Sequence, residues 1–439
     1  MVGDGSYYEG DYSLDPAVVA EWLDELKALV LAAGKGVRLW PLTENRPKPL
    51  LPVGGRPLLS QTIESLVKAG VREIIIMVNY QASMVKEALG DGLSLGADIS
   101  YVDQPSPKGT ANAVEAAKDV LDGEDRFLVV YGDNYYGPRA VSRLVEMSRR
   151  SSSDLLIGAA RVLDASQFGR LTVKDGVVGG IREKSAKKGP GEVIAGLYLM
   201  DQSIFPAIVK TKLSSRGEFE LTDSIQFLID QDRRFRMVLL NDQEWLGISY
   251  PWDLLGANRL AFDLMESARD GMVEPGVHVH GMLHLSRGGV IRSGCYLEGP
   301  VFIGENAVVG PNAYLRPYTV VGEGAKVGAY CDVKNSILMD RAKVPHLSYV
   351  GDSIVGAGCS LGAGTITANL RFDDASIVSM VKGRRVDTGR RKLGAIIGDN
   401  VRTGINVSLL RGVKIGSGDW IGPGVTVRRD VASGARIKR

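Results

Sequence analysis

A six-residue repeat in the C-terminal part of the chain constrains its fold more than any other feature. A large residue, mostly aliphatic and often followed by glycine, recurs every six positions, and a small or slender residue stands four positions after it. Interruptions fall at 337–354 and 367–396. This spacing is typical of a triangular parallel β-helix in which both positions point inward. The large positions are Ile291, Leu297, Ile303, Val309, Leu315, Val321, Val327, Val333, Val355, Leu361, Ile397, Thr403, Leu409, Ile415 and Ile421.

The cysteines follow the same register. Cys295, Cys331 and Cys359 all occupy the small inward position, and the chain contains 3 cysteines in all. Their spacing fits neither a disulfide framework nor a metal site. We therefore predict that they are buried core residues of a protein kept in a reducing compartment.

The part that precedes the repeat has a different pattern. From Lys27 to about Asn241, short β-rich apolar runs alternate with helical patterns, which indicates a Rossmann-like, mainly parallel sheet with helices on both faces. We expect short helices at Asp15–Lys27 and Trp252–Asp270. The predicted division is an extension at 1–26, an α/β domain at 27–250, a connecting helix at 251–274 and a β-helix at 275–439.

Charge and hydropathy exclude several partners. The 53 basic and 51 acidic residues nearly cancel, and no polybasic block stands out, which argues against nucleic acid as a partner. No apolar run approaches the length of a membrane span, and the first residues do not have the pattern of a secretion signal. We expect a cytoplasmic protein that does not bind membranes.

A glycine loop follows the first predicted strand. Gly34 and Gly36 allow backbone N–H groups to approach a phosphate closely, and Arg38 and Lys48 supply positive charge. The loop matches neither the dinucleotide fingerprint nor a P-loop. Alone, it would also be compatible with a tight turn that carries a solvated lysine.

From Leu29 to Leu59 the sequence closely resembles the opening motif of the sugar-1-phosphate nucleotidyltransferases. This family includes glucose-1-phosphate thymidylyltransferase and N-acetylglucosamine-1-phosphate uridyltransferase. The resemblance implies that a triphosphate binds to Ala33, Gly34, Gly36 and Arg38, and that Lys48 contacts phosphate during transfer.

Later segments extend the resemblance. Gln104 and Gly109 stand where the family recognises a pyrimidine base, and Asp133 stands where it binds Mg²⁺. An amide side chain offers both a donor and an acceptor, which suits uracil or thymine, and Mg²⁺ prefers carboxylate and phosphate oxygens. Taken singly, these segments are equally compatible with an ordinary loop and an Asp-Asn turn.

The resemblance also places the sugar. It implies that Glu183 binds sugar hydroxyls, that Lys184 binds the sugar phosphate, and that Gly169 and Gly196 line the sugar pocket. One position departs from the family pattern: relatives commonly carry a second metal-binding aspartate where this chain has Gly247. Binding of the metal by two aspartates is therefore in question.

The β-helix is either a scaffold or a second enzyme. Its segments around Lys334, His346 and Gly362–Asn369 resemble the acetyltransferase half of the bifunctional bacterial uridyltransferase, which acetylates glucosamine 1-phosphate with acetyl-CoA. The resemblance implies that His346 is the general base, and histidine suits this task because its ordinary pKa lies near neutrality. The residues implied to grip the sugar and its phosphate are Arg316, Lys334, Tyr349 and Asn369.

Two positions depart from the bacterial pattern, Ser360 in place of asparagine and Leu370 in place of tyrosine. The thymidylyltransferase-like opening combined with this C-terminal half resembles the archaeal type of bifunctional enzyme. The second interruption, 367–396, is longer and more basic than its bacterial counterpart. It either binds the phosphates of CoA or is a solvated loop. Family analogy implies a homotrimer with acetyl-transfer sites between neighbouring β-helices.

Three hypotheses result. The first is a bifunctional enzyme that transfers a nucleotidyl group from UTP or dTTP to glucose 1-phosphate or N-acetylglucosamine 1-phosphate with Mg²⁺, and that acetylates glucosamine 1-phosphate or galactosamine 1-phosphate with acetyl-CoA. The second keeps nucleotidyl transfer alone and makes the β-helix structural. The third is a non-catalytic regulatory subunit, which the intact loop and Asp133 disfavour.

Overall fold

A computed structural model describes residues 26–150, 154–183 and 188–438. The helix expected at Asp15–Lys27 lies almost entirely outside these residues. None of the helices among them is long and apolar enough to cross a bilayer.

The first domain is built on a nine-stranded sheet in the order β3-β2-β1-β4-β8-β5-β9-β7-β6. Strands β1 to β4 pair in parallel, whereas β8 runs antiparallel to both β4 and β5. The expected mainly parallel α/β domain is confirmed. The strands are β1 Ala28–Leu31, β2 Glu73–Val78, β3 Asp98–Asp103, β4 Arg126–Tyr131, β5 Leu155–Val162, β6 Arg170–Lys174, β7 Val177–Arg182, β8 Gly191–Asp201 and β9 Phe235–Leu239.

Helices cover both faces of this sheet. The two sides of its buried strands belong to two separate hydrophobic clusters, and each cluster also contains residues of helices. The helices are α1 Leu58–Lys68, α2 Ala82–Leu89, α3 Thr110–Ala116, α4 Ala140–Arg150, α5 Ile204–Lys210, α6 Leu221–Ile229 and α7 Asp253–Asp263. Short strand pairs join Pro52–Val53 with Arg56–Pro57 and Tyr135–Tyr136 with Trp245–Leu246. Short 3₁₀ turns lie at Val37–Leu39, Lys48–Leu50, Leu93–Leu95 and Ala165–Gln167.

The connecting helix is shorter than expected. Helix α7 ends at Asp263, and strand Ala268–Arg269 already pairs with the next coil of the β-helix. The predicted helix over Trp252–Asp270 is therefore wrong in its last turns, because the chain must extend there to begin the first coil.

The second domain is the predicted parallel β-helix with three faces. Its first-face strands are Ala268–Arg269, Leu283–Leu285, Val301–Ile303, Thr319–Val321, Ile337–Leu338, Ile354–Val355, Ile396–Ile397 and Lys414–Ile415. Second-face strands are Met272–Val273, Val290–Ile291, Val308–Val309, Lys326–Ala329, Lys343–His346, Arg402–Thr403, Trp420–Ile421 and Arg436–Ile437. Third-face strands are His278–His280, Tyr296–Glu298, Tyr314–Leu315, Asp332–Lys334, Tyr349–Gly351, Ile366–Thr367, Ser408–Leu409 and Thr426–Val427.

The inward register of the repeat is confirmed, since nearly all its large positions belong to one buried cluster. Cys295, Cys331 and Cys359 are free and buried in it, as predicted. The first interruption is still β-helix. Val320 pairs with Ile337 and Ile337 pairs with Ile354, so these coils are one residue shorter than the preceding coil, in which Val301 pairs with Thr319. A shift of phase, and not a break, ended the sequence pattern there.

The second interruption contains a hairpin, Val378–Val381 with Arg384–Asp387. Its apolar residues join the outward side of the first face and helix α7 in a hydrophobic cluster that both domains share. Part of this basic segment is therefore packed, whereas Lys382, Arg384 and Arg385 remain exposed. The two domains bury a common core.

Candidate active sites

The glycine loop folds back over Lys48. Gly36 has φ 63°, and a Cβ at this position would lie 2.9 Å from the Lys48 Cβ, so both the backbone conformation and the close approach require glycine. The Thr43 hydroxyl donates to the Gly36 carbonyl at 3.0 Å and holds the loop closed. The loop and Lys48 thus meet beyond the carboxyl end of β1.

Asp133 follows the neighbouring strand β4 and reaches the same place. Its Oδ2 accepts from the Lys48 Nζ at 2.7 Å, and the Lys48 side chain is almost fully buried. The Asp133 side chain keeps 41% of its exposure, facing a cavity. A carboxylate and a buried ammonium therefore stand side by side at the sheet edge.

Two cavities meet at Asp133. The loop pocket, of about 270 Å³, is lined by Ala33, Gly34, Gly36, Gln104 and Gly109 among others. The inner pocket, of about 180 Å³, is lined by Arg38, Lys48, Gly169 and Glu183 among others. Thr110, Tyr131 and Asp133 belong to both walls. Nine residues predicted from separate segments are thus brought together around Asp133.

Gly109 closes the loop pocket from the other side. Its φ is 120°, and an added Cβ would lie 2.4 Å from the Phe219 carbonyl oxygen. The Phe219 N–H donates to the Lys108 carbonyl at 2.7 Å. The segment before α3 and the segment before α6 are therefore clasped together at a position that only glycine fits.

Gln104 is buried in the loop pocket with a fixed amide. Its Nε2 donates to the Asn112 Oδ1 at 2.9 Å, and the Lys108 backbone N–H also points to this oxygen, at 3.4 Å. Because a backbone N–H can only donate, it sets the Asn112 amide, and Asn112 in turn sets Gln104. Among the described residues, the Gln104 side-chain oxygen Oε1 is thereby left as an acceptor without a donor.

Glu183 is held in the inner pocket by two partners. The Arg216 guanidinium donates to its Oε1 at 3.0 Å and the Thr222 hydroxyl to its Oε2 at 3.1 Å. Burial alone would lower the pKa of Arg216, but Glu220 and Glu183 outweigh it and raise that pKa. Sequence reasoning missed Arg216, whose signal was its place four residues before Glu220.

One predicted residue of the sugar pocket is placed differently. Gly196, with φ 74°, lies behind the Tyr131 ring, where a Cβ would come within 2.7 Å of ring carbons. It therefore shapes the wall through Tyr131. Lys184 lies outside the described residues.

The packing around Gly247 leaves no room for an aspartate side chain at this position. A Cβ there would lie 2.6 Å from a Phe168 ring carbon, and Phe168 packs edge-on against Trp245 with ring centroids 5.6 Å apart. Asp253, the next aspartate in the chain, is not among the residues that line the two pockets, and its Oδ2 accepts from the Ser249 and Tyr250 N–H groups at 2.8 and 2.7 Å. Among the described residues no group of three or more acidic, histidine or cysteine side chains is arranged to hold a metal.

Asp133 nevertheless fits Mg²⁺. This ion usually takes one or two protein carboxylates and completes its shell with water and substrate phosphates. The accessible carboxylate between the two pockets offers that kind of ligand. A metal held there would depend on the substrate for its remaining ligands.

A second cluster lies on the third face of the β-helix, around Asp352. This carboxylate is buried and accepts from Asn335 at 2.6 Å and from Asn369 at 2.6 Å, and the Asn369 amide also donates to the Tyr349 hydroxyl at 3.0 Å. The Lys334 ammonium lies 3.9 Å from it. Sequence reasoning missed the organising role of Asp352, although both asparagines stood in the matched segments.

Positive charge gathers on this face. Burial lowers the pKa of Lys334, and the neighbouring Lys392 lowers it further against the pull of Asp352. Arg316 lies 3.7 Å from Asp332, yet the Arg316 Nε and the Asp332 Oδ1 are buried without a hydrogen-bond partner in the described part of the chain. Crowded cations and unsatisfied polar atoms indicate a surface that binds a polar, anionic ligand.

His346 ends a second-face strand at the corner that leads to Tyr349. Its side chain is exposed, and it is followed by the exposed Leu347. Leu370 is 40% exposed and pairs with Lys392 at the start of the hairpin segment, while Ser360 lies between Lys343 and Arg402 on the second face. The structure thus places His346 one corner away from the four predicted sugar-binding residues.

Comparisons with known proteins cover both domains. The nucleotidyl transferase family matches residues 27–262, and a family described as the GMPPB C-terminal domain matches residues 297–409. "Bifunctional protein GlmU" of Methanocaldococcus jannaschii is 40% identical over 409 residues, 93% of this chain and 96% of that protein. A "Bifunctional sugar-1-phosphate nucleotidylyltransferase/acetyltransferase" of Sulfurisphaera tokodaii is 40% identical over 417 residues, 94% of this chain and 100% of that protein. "Glucose-1-phosphate thymidylyltransferase" of Streptomyces griseus is 35% identical over 250 residues, 57% of this chain and 70% of that protein.

Proposed function

The chain belongs to the family of bifunctional sugar-1-phosphate nucleotidylyltransferases/acetyltransferases, and from this premise we propose that each of its two domains carries one of the two reactions. We assign nucleotidyl transfer to residues 27–250 and acetyl transfer to residues 275–439. The observation that carries the first assignment is the meeting of the loop pocket and the inner pocket at Asp133 and Tyr131. A nucleotide in one and a sugar phosphate in the other would react where the pockets join.

In nucleotidyl transfer, an oxygen of the sugar 1-phosphate attacks the α-phosphorus of the triphosphate and pyrophosphate leaves. Ala33, Gly34 and Gly36 supply backbone donors, while Arg38 and Lys48 neutralise phosphate charge. The ion pair with Asp133 fixes the Lys48 ammonium at the junction of the pockets. The protein thus contributes position and charge, without a covalent nucleophile.

Asp133 would hold Mg²⁺, which when bound would neutralise charge on the triphosphate oxygens. Glu183 and Gly169 would contact the sugar, and Gly196 would set the Tyr131 wall behind it. We keep Lys184 as the predicted ligand of the sugar phosphate. The acceptor that Gln104 presents pairs with the N3–H of uracil or thymine, which supports UTP or dTTP as the nucleotide. Glucose 1-phosphate and N-acetylglucosamine 1-phosphate are the proposed acceptors.

In acetyl transfer, the amine of glucosamine 1-phosphate or galactosamine 1-phosphate attacks the thioester of acetyl-CoA, and His346 takes the proton that the amine loses. Arg316 and Lys334 would bind the sugar phosphate, and Tyr349 and Asn369 the sugar. These four side chains are only partly buried. A homotrimer, in which a neighbouring β-helix covers the face that carries them, would supply a further wall. The three buried free cysteines support a cytoplasmic location.

Two variants separate the reactions. We expect Asp133→Asn to lose pyrophosphate release from UTP or dTTP with sugar 1-phosphates, and to keep thiol release from acetyl-CoA with glucosamine 1-phosphate or galactosamine 1-phosphate. His346→Ala should show the reverse. Both activities would be followed in parallel on wild type and on each variant. Absence of thiol release from the wild type would leave the β-helix as a scaffold.

A further inference from the structure

The loop between Arg38 and Lys48 joins two walls of the inner pocket, and the β-helix contacts the middle of this loop. Glu44 accepts from the Ser417 backbone N–H at 3.0 Å and from the Ser433 hydroxyl, both in the last coils of the β-helix. The same carboxylate accepts from the Trp40 indole N–H at 2.6 Å. One side chain thus ties the loop to itself and to the other domain.

A second carboxylate makes the reverse contact. Asp399 belongs to the β-helix and is 6% exposed. It accepts from the Arg46 guanidinium at 2.8 Å and from the Asn45 amide at 3.3 Å. The Ala357 N–H also donates to it at 2.8 Å, which fixes the carboxylate in its own domain. The loop and the β-helix therefore each supply a carboxylate to their contact, which we call the seam: Glu44 from the loop and Asp399 from the β-helix.

Packing reinforces these hydrogen bonds. The Lys414 ammonium is buried 5.4 Å from the centre of the Trp40 ring and is itself held by the Met380 carbonyl and by Asp430. Pro41 packs so closely on Gly398 that a Cβ there would lie 3.1 Å from the Pro41 Cβ. Trp40 and Pro41 lie two and three residues after Arg38, so the β-helix contacts the loop close to a proposed phosphate-binding residue.

We propose that the last coils of the β-helix hold the loop between Arg38 and Lys48 in its active conformation, with Glu44 as a positioning residue for nucleotidyl transfer. The inference rests on the proposed nucleotidyl transfer. A loop that is already ordered binds its ligand without the entropy cost of ordering it. The β-helix is then part of both reactions, through its third face in one and through its last coils in the other.

The protonation state of Glu44 agrees with this role. Burial alone would raise the pKa of the carboxyl group, but the hydrogen bonds from Ser417, Ser433 and Trp40 outweigh it and lower the pKa below its ordinary value. Glu44 is therefore ionised at neutral pH. Charged hydrogen bonds are the stronger kind, which makes the seam an effective anchor.

The test changes the seam from either side. We expect Glu44→Gln and, on the β-helix, Ser433→Ala to lower kcat/KM for the nucleoside triphosphate about tenfold and about threefold, mainly through KM. Charged hydrogen bonds have strengths of this order. Ser433 is exposed, so its loss costs little stability. Thiol release from acetyl-CoA should be unchanged. The double variant should resemble Glu44→Gln alone, because both substitutions weaken the same contact between Glu44 and Ser433.

Glu274→Gln is the matched control. Glu274 also accepts from a serine N–H and a serine hydroxyl of a neighbouring coil, those of Ser293 at 2.9 and 3.2 Å, but it lies at the start of the β-helix. It should leave KM for the triphosphate at the wild-type value. Equal KM in wild type and Glu44→Gln would overturn the inference alone, as would a parallel fall of both activities with the melting temperature. A wild type that releases no pyrophosphate would overturn the proposed function and this inference with it.

Discussion

At the scale of residues, the proposed choice of base would depend on the orientation of one amide. Gln104 carries a donor and an acceptor, and its sequence context does not say which of them faces the ligand. The hydrogen bonds from the Lys108 N–H to Asn112 and from Gln104 to Asn112 decide this, because they turn the Gln104 NH₂ group toward Asn112 and its side-chain oxygen Oε1 away from it. Uracil and thymine present a donor at N3, whereas cytosine presents an acceptor there.

Asn112→Ala should therefore relax the selection of the base. Without its partner, the Gln104 amide is free to rotate and to offer its NH₂ group to cytosine. We expect the ratio of kcat/KM for UTP to that for CTP to fall by about tenfold, the size of one hydrogen bond. Initial rates with both nucleotides measure this ratio.

Asn112→Asp is the control for that experiment. Aspartate keeps the oxygen that accepts from Gln104 and from Lys108, so the ratio should stay near the wild-type value. A ratio that Asn112→Ala leaves unchanged would show that other groups select the base.

At the scale of elements, helix α7 begins with a carboxylate that serves the inner pocket indirectly. Asp253 accepts from Ser249 and Tyr250, and Ser249 lines the inner pocket. Burial raises the pKa of Asp253 to about 6, in spite of these hydrogen bonds and of the nearby Lys48 and Arg390. The folded protein therefore binds a proton at this group more readily than the unfolded chain does.

Asp253→Asn should stabilise the protein at neutral pH. A raised carboxyl pKa means that the contribution of Asp253 to stability is complete below about pH 4 and is lost as the pH rises through about 6. An asparagine oxygen accepts both N–H groups without this loss. We expect a gain of up to about 3 kcal/mol in the free energy of unfolding at pH 8 and none near pH 4.

Urea unfolding at the two pH values measures the gain. Asp263→Asn, at the exposed last residue of α7, is the matched control and should leave the free energy of unfolding near the wild-type value because its side chain is exposed. An Asp253→Asn variant that is less stable than wild type at pH 8 would contradict the prediction.

At the scale of the whole molecule, the two domains share a hydrophobic cluster instead of meeting through a linker. Phe302 points outward from the first face, and its ring fills the space above Gly55, where a Cβ would lie 2.3 Å from ring carbons. Its neighbours in the cluster include residues of α7 and of the hairpin segment. We therefore expect the domains to unfold together.

Phe302→Ala should weaken that coupling. Removing a buried phenylalanine costs about 3 kcal/mol, and here the cavity opens between the domains. Calorimetry should show one transition for the wild type and a lower or divided transition for the variant. Phe372→Ala removes the same side chain from a fully exposed position and should change nothing. Equal melting of the two variants would contradict a shared core.

The sequence by itself determined the architecture, because local order carries it. The six-residue period required the inward positions of the β-helix, including its cysteines, and the glycine loop after the first strand marked a close backbone approach, where Gly36 fits and a Cβ would clash. Binding of a nucleotide at the carboxyl ends of the parallel strands stays a prediction, and the segments around Asp133 do meet at that edge of the sheet.

Only the tertiary structure decided the contacts that join distant segments. Glu44 meets Ser417 across 373 residues, and Arg216 and Asp352 acquire their partners by packing. The shortened coils and the early end of α7 also depended on it, because a shift of phase looks like a break in a periodic pattern. Periodicity reports which face of an element is buried. It contains no information about which other element covers that face, and the link between the two domains belongs to this second kind.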